Sequence, residues 1–282
     1  MKRSPAIRLV LALSGLIVGC GPSFPQQTGA TQDSSALRSL DVIDADALVQ
    51  FSLLAALAAG DYGGGAPLSE VRKAGDFGLG TFDRLDGEMI LLDGDFYQVQ
   101  ADASVHRRED GNSAPFATVK FFNEDGSFAE VSAKSLLELD QWFDRRLPNA
   151  QIPVAIKLQG RFDELTLRSA PPQTPPYRPL ADVIDQQVTW QRRNVPGTLI
   201  GFRCPKWMGT LNVAGYHWHF LSDDHTIGGH VLDCRFKGAT AAYDECATVT
   251  IRLPDSQSFE NIDMTDVSEA DVNKIERQRT AN

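Results

Sequence analysis

Cysteine, basic charge and long apolar runs are all scarce in this sequence. Four cysteines in 282 residues are too few for a disulfide-based scaffold. Lys and Arg total 27 against 37 Asp and Glu, and the net charge of −10 argues against nucleic acid as a partner. Beyond the first twenty residues, no uninterrupted apolar run is long enough to span a membrane. The hydrophobic content of 42%, with 23% charged residues, predicts a globular protein rather than a disordered or collagenous one.

The N-terminus has the pattern of an export signal. A short basic segment precedes an apolar run at residues 9–18, which is too short for a comfortable membrane span but suits the hydrophobic region of a secretion signal. The run ends in Ile17-Val18-Gly19-Cys20, which resembles a bacterial lipobox, the site at which a cysteine is lipidated. We therefore interpret residues 1–19 as a lipoprotein signal peptide; the alternative is an ordinary signal peptide cleaved nearby.

Both interpretations predict an exported protein. Lipidation of Cys20 predicts anchoring to a bacterial membrane, on the periplasmic or cell-surface side, through the lipid only, because the acidic chain offers no basic patch to help. Residues 20–36 carry a single charged side chain, Asp33, and have little apolar surface to bury. That composition is typical of a flexible tether.

The remaining chain predicts an α+β protein with mixed β-sheets and flanking helices. Residues 48–59 are predicted to form a helix, and the dipeptides at 86–87 and 93–94 predict hairpins between strands. Ser135 with Glu138 forms a capping box for a helix through Arg146. Strands are predicted over 153–160, 162–168 and much of 197–253, and a polar helical tail follows residue 266.

The proline-rich segment at 171–179 is the best candidate for a boundary, because proline cannot donate to a sheet ladder. We therefore predict two α/β subdomains, an N-terminal one at 37–170 and a C-terminal one at 171–282. A homodimer is compatible with this organisation.

Four of the five histidines lie between positions 217 and 230. In a strand, His217 and His219 share one face, while the aromatic residues between and around them take the other. A turn at 223–229 then returns the chain at His230, so a hairpin would bring three imidazoles together. Three histidine ligands leave an open coordination position, which is typical of a catalytic Zn²⁺ or another divalent ion. Surface histidines on an exposed sheet face are the alternative. His225, at the turn, and His106 are interpreted as exposed.

Several stretches of the sequence resemble acetolactate decarboxylase, the bacterial enzyme that converts 2-acetolactate to acetoin. They are GDFGLGTF with LDGE and DGDFYQ at 75–98, AIKLQGRF at 155–162, VPGTLIGF at 195–202, and GYHWH with GGH at 215–230. Each fragment is weak by itself, but their order and spacing match the family, and the resemblance extends over about residues 48 to 276. It places the predicted metal site near the junction of the two subdomains.

The resemblance implies a zinc ion bound by His217, His219 and His230, the same histidines that the spacing selects. It also implies two glutamates and an arginine at the metal. These correspond to Glu88, in the LDGE motif, Arg168 and Glu276, the last matched by spacing alone. Thr81 is expected to line the same site.

The implied reaction is the zinc-dependent decarboxylation of 2-acetolactate to acetoin and CO₂ through a metal-stabilised enediolate. Arg168 is expected to bind the carboxylate or the oxyanion, and the two glutamates are expected to move protons. Two other functions are compatible with a three-histidine site: a metal-dependent hydrolase and a non-catalytic lipoprotein that binds a ligand.

Overall fold

Short helices and many strands make up the computed structural model, which describes residues 44–265, 267, 268 and 272. The helices are α1 (Leu54–Ala59), α2 (Leu68–Arg72), α3 (Leu136–Asp144), α4 (Leu180–Ile184) and α5 (Gln257–Asn261). The strands are β1 (Ala47–Phe51), β2 (Ala66–Pro67), β3 (Phe77–Thr81), β4 (Glu88–Leu92), β5 (Asp95–Val99), β6 (Val105–Arg108), β7 (Ser113–Ala114), β8 (Phe116–Lys120), β9 (Gly126–Ala133), β10 (Val154–Ser169), β11 (Val188–Cys204), β12 (Gly215–Ser222), β13 (Gly228–Glu245) and β14 (Thr248–Arg252). The predicted α+β class is confirmed. Within this described part, no helix has the length and apolar character of a membrane span.

Two sheets organise the fold. One has seven strands in the order β14-β1-β8-β3-β4-β5-β6, and the other has five in the order β10-β11-β12-β13-β9. In the five-stranded sheet, β10 pairs with both β11 and β13, so the strands close on themselves. A small two-stranded sheet joins β2 to β7.

The alternation of side chains along each strand divides the core into layers. One face of the seven-stranded sheet, with Leu79 and Ile90, packs against Ile200 and Phe202 of the five-stranded sheet. Its opposite face packs beneath α2. The outer face of the five-stranded sheet, which includes Trp218, packs against α3. The order of layers is therefore helix, sheet, sheet, helix, and any site between the two sheets is shielded from solvent.

Ser135 and Glu138 both cap the start of α3 as predicted, although Glu138 bonds to the N–H of Lys134 rather than to that of Ser135. The Ser135 hydroxyl accepts a hydrogen bond from the Glu138 backbone N–H at 3.2 Å, and the Glu138 carboxylate accepts one from the Lys134 backbone N–H at 3.0 Å. These bonds satisfy donors at the helix start that lack partners within the helix. The helix α3 ends at Asp144, two residues before the predicted end at Arg146.

The predicted helix over 48–59 is wrong in its first half, where β1 lies between β8 and β14. All five residues of β1 are buried, so both faces of this strand lie in the interior, and four of the five side chains are apolar. A strand buried on both faces reads as a continuous apolar run, which periodicity cannot separate from a buried helix. Ser52, with a φ of 65°, separates this strand from α1.

The predicted division near residue 170 falls between β10 and β11. These two strands pair from Val154 opposite Arg203 to Ser169 opposite Val188. Both predicted subdomains therefore contribute strands to the five-stranded sheet, and all described residues belong to one compact unit over Val42–Asn282. The predicted signal peptide and tether, including Cys20, lie outside the described residues.

The three described cysteines, Cys204, Cys234 and Cys246, are free and buried. Burial raises the pKa of the Cys246 thiol to about 12, with Lys120 opposing the shift. A thiol with such a pKa stays protonated at neutral pH and behaves as a small apolar side chain.

A buried ion pair connects the two sheets. The Lys120 ammonium, at the end of β8, contacts the Asp244 carboxylate near the end of β13, and both residues are fully buried. The other carboxylate oxygen of Asp244 accepts a hydrogen bond from the Asn123 backbone N–H at 2.6 Å. The pair therefore holds the ends of two strands that belong to different sheets.

Candidate metal centre

Strand β12 directs two histidines to one face, as its alternating pattern predicts. His217 and His219 point toward the space between the sheets, and both are buried. Trp218 points the other way, into the cluster beneath α3. Gly201, opposite Trp218 on β11, makes this packing possible, because a Cβ at this position would lie 2.1 Å from the indole ring.

The third histidine arrives on the next strand. A turn joins β12 to β13, and the register places His230 directly opposite His219. His230 also lies opposite Arg168 of β10. Gly229, just before it, has a φ of 139°, and a Cβ there would lie 2.9 Å from the Arg168 carbonyl oxygen. Only glycine fits this backbone conformation and close approach without strain.

The three imidazoles converge on one point. His217 Nε2 lies 3.2 Å from His219 Nε2 and 3.2 Å from His230 Nδ1. One nitrogen from each of the three rings lies within 4.8 Å of the others. Two nitrogens bound to a tetrahedral zinc ion at the usual bond length would be about 3.3 Å apart. The spacing of these donors therefore fits a single divalent ion.

The protonation of the rings also suits a metal. Burial, followed by the charge of Arg168, lowers the pKa of His217 to about 3. Burial likewise holds the pKa of His219 well below its usual value. The Met89 carbonyl accepts a hydrogen bond from His219 Nδ1 at 2.9 Å, which leaves the lone pair on Nε2 facing the other two rings. A neutral imidazole can offer its lone pair to a metal ion, and the lowered pKa values keep His217 and His219 in this form at neutral pH.

Three further residues of the predicted site surround the histidines. A carboxylate oxygen of Glu88, the first residue of β4, lies 3.4 Å from His219 Nε2. Arg168 is 3% exposed, and its Nε atom has no hydrogen-bond partner within the described part of the chain. The Thr81 hydroxyl donates to the Gly87 carbonyl at 2.8 Å, which holds the turn that precedes Glu88.

Most of the predicted residues meet in a single cavity between the sheets. Its polar wall includes Thr81, Glu88, Arg168, His217 and His230. His219 lies beside this wall, in contact with Glu88 and His217. Glu276 lies outside the described residues, so its predicted place at the metal stays a prediction.

The other two histidines lie apart from the cluster, as expected from the sequence. His106 is exposed on β6, and His225 is exposed at the turn between β12 and β13 with a φ of 56°. His225 also makes a contact that was not predicted from the sequence: its Nδ1 lies 3.1 Å from the Tyr97 hydroxyl.

The apolar wall of the cavity was not predicted from the sequence. Its members come from α1, α4 and the segments before β4 and at the start of β8: Leu54, Leu57, Leu85, Phe116, Leu180 and Ile184. Their apolar character alone cannot separate a cavity lining from an ordinary core. No local signal in the sequence distinguishes them from other buried leucines and isoleucines.

Comparison with known proteins assigns the family. The family model described as alpha-acetolactate decarboxylase matches residues 48–266. The chain belongs to the alpha-acetolactate decarboxylase family. An alpha-acetolactate decarboxylase of Methanosarcina mazei is 36% identical over 263 residues, which cover 92% of this chain and 91% of the relative. One of Raoultella terrigena is 34% identical, covering 86% of this chain and 93% of the relative.

A solved structure supports the same assignment. The crystal structure of alpha-acetolactate decarboxylase from Bacillus subtilis superimposes with a TM-score of 0.79 at 30% identity, covering 83% of this chain and 100% of that one. The resemblance predicted from the sequence motifs is thus confirmed for the family. The family model ends at residue 266, ten positions before Glu276.

Proposed function

We propose that this protein decarboxylates 2-acetolactate to acetoin and CO₂, with a zinc ion, or another divalent ion, held by His217, His219 and His230. The observation that carries the proposal is a cluster of three buried histidines beside a cavity that Arg168 and Glu88 also line, in a chain of this family. When bound, the ion supplies a Lewis acid that polarises the oxygens of the substrate.

The chemistry defines what the site must do. In 2-acetolactate, the carbon that carries the carboxylate also carries a hydroxyl and a methyl group, and a ketone is attached to it. The bond to the carboxylate breaks, CO₂ leaves, and the electron pair passes into the ketone to give an enediolate. One proton then adds to the carbon that lost CO₂, which gives acetoin. The site must bind a carboxylate, stabilise negative charge and deliver a proton.

Arg168 is suited to the first two tasks. Its guanidinium lines the cavity, is almost fully buried and presents an Nε donor without a partner among the described residues. A buried guanidinium binds planar carboxylates through paired hydrogen bonds, and it retains its charge as the carboxylate leaves. The backbone at Arg168 is fixed at the end of β10, where the hydroxyl of the neighbouring Ser169 donates a hydrogen bond to the Val99 carbonyl at 2.8 Å.

Glu88 is suited to moving the proton. It lies on the same polar wall as Arg168 and is 9% exposed, so bulk water has little access to it. A general acid must lie within reach of the carbon that receives the proton, and Glu88 lies beside the histidine cluster, 3.4 Å from His219 Nε2. Glu276 is the proposed second glutamate, on the family resemblance alone.

Purified protein loaded with one equivalent of Zn²⁺ and given racemic 2-acetolactate tests the proposal. We expect acetoin and CO₂ in equal amounts. If the site accepts a single enantiomer, no more than half of the racemic substrate should react. Removal of the metal with a chelator should abolish turnover, and added Zn²⁺ should restore it. Absence of turnover above background with zinc bound would refute the decarboxylase function, and hydrolysis of ester or amide probes would then favour a hydrolase.

We also propose that the mature protein is an exported lipoprotein anchored through Cys20. The basic segment, apolar run and lipobox-like end at residues 1–20 support this proposal. Such an enzyme would act on substrate outside the cytoplasm.

Substitution of Cys20 by serine is expected to release the protein from the membrane fraction. In cells grown with radiolabelled palmitate, the parent protein should carry label and sediment with membranes, whereas C20S should carry none. A single acyl chain holds a protein only weakly, so multiple acylation of Cys20 is what makes the anchor stable. Equal labelling of the parent and of C20S would contradict the lipidation site, and C204S is the matched control, because Cys204 is a buried core residue.

A further inference from the structure

The cavity has two walls of opposite character. The polar wall contains His217, His230, Arg168 and Glu88, and the apolar wall is built largely by two short helices, α1 and α4. Each helix contributes two side chains, and Leu85 and Phe116 complete this wall. The division matters because a bound molecule must present polar groups on one side and alkyl groups on the other.

Helix α4 provides two neighbouring members of the apolar wall. Leu180 and Ile184 are four residues apart, so they lie on the same face of the helix and reach the cavity together. Both are buried, at 3% and 2% exposure. Val183 is equally buried on the same helix and belongs to the same apolar cluster, but it does not line the cavity.

The polar groups of 2-acetolactate are matched by the polar wall. Its carboxylate suits Arg168, and its ketone and hydroxyl oxygens suit the side of the cavity where the histidines lie. Two alkyl groups remain, the methyl group on the carbon that carries the carboxylate and the methyl group on the ketone. The apolar wall is the surface left to receive them, because burying an alkyl group against Arg168 or Glu88 would strip those charges of polar partners.

We propose that Leu180 and Ile184 determine the size of the alkyl substituents that the active site accepts. This inference rests on the proposed decarboxylase function. Both side chains belong to a buried apolar cluster, and a close-packed interior yields little to a larger substrate. An added methylene that does not fit an apolar pocket lowers kcat/KM by about 10- to 200-fold.

The test compares 2-acetolactate with two homologues, one with an ethyl group in place of the methyl on the reacting carbon and one with an ethyl group on the ketone. For the parent protein, we expect kcat/KM to be at least about 10-fold lower for one or both homologues. In I184V and I184A, the ratio of kcat/KM for the disfavoured homologue to that for 2-acetolactate should rise, by about 10-fold in I184A. V183A removes apolar volume from the same helix without enlarging the cavity, so its ratio should stay within about twofold of the parent.

The outcomes separate this inference from the function on which it rests. No turnover of any of the three compounds by the parent protein would overturn both. Normal turnover of 2-acetolactate with equal kcat/KM for the homologues, or with the same ratio in I184A and the parent, would overturn the size-selection role alone. A rise of the same size in V183A would also overturn it, because general loosening would then explain the change. If I184A fails to fold, I184V decides, since it removes a single methyl group.

Discussion

Replacement of His219 by alanine is expected to abolish stoichiometric metal binding and to lower acetoin formation by more than about 100-fold. Loss of a residue that merely orients a metal ligand costs about 10- to 100-fold in metal affinity or activity, so loss of a ligand should cost more. His219 is fully buried, and its Nε2 faces His217 at 3.2 Å. Two remaining imidazoles would bind a divalent ion too weakly to hold it through purification.

The experiment is to measure zinc content by mass spectrometry and acetoin formation for H219A beside the parent. H225A is the matched control, because His225 is only six positions away but lies exposed at the turn, outside the cluster. It should retain one equivalent of zinc and activity near that of the parent. Retained activity in H219A, or equal loss of zinc in H225A, would remove the claim that the three-histidine cluster is the metal centre.

Substitution of Asp244 by alanine is expected to lower the free energy of unfolding by about 3–5 kcal/mol. Lys120 would be left as a buried, unpaired ammonium between the two sheets. Asn123 would also lose the carboxylate oxygen that its backbone N–H donates to. Burial raises the pKa of the Asp244 carboxyl, against the opposing effect of its hydrogen bonds with Lys120 and Asn123. Moving two charges from water into a protein interior costs free energy even when they are paired.

That cost leads to a second expectation for the same pair. The double variant with Lys120→Met and Asp244→Ala should recover much of the stability that D244A alone loses, because methionine has nearly the volume of lysine and no unpaired ammonium remains. Urea denaturation of each variant measures the free energies. E70A, which removes the exposed Glu70–Lys73 pair, is the control and should change stability by less than about 1 kcal/mol. A loss below 1 kcal/mol in D244A would contradict this account of the ion pair.

Much of the metal centre is predictable from short stretches of sequence. His217 and His219 share a face because strand side chains alternate, and His230 joins them because the intervening segment turns the chain back. The cap at Ser135 is equally local, because a serine followed three residues later by a glutamate can bond to the free N–H groups at a helix start. These predictions succeed because backbone geometry over a few residues decides them, whatever the rest of the fold does.

Other parts of the site depend on contacts between distant segments. Glu88 could be assigned to it only through the family resemblance, because its contact with His219 spans 131 positions and requires β4 to pack across β12. The same packing brings the Met89 carbonyl to His219 Nδ1. The alternation of side chains along β4 does not predict which strand of the other sheet will pack against it.

The apolar run at 48–59 shows why local patterns fail. Its first part is a strand only because β8 and β14 pair on either side of it, and its second part lines the cavity as α1 only because α4 packs nearby. The sequence alone thus predicted the α+β class and the three histidines on one hairpin, which the structure contains. It also predicted the export signal, which stays a prediction. The packing of two sheets and two short helices decided the rest, since burial between elements far apart in the chain is a property of the whole fold.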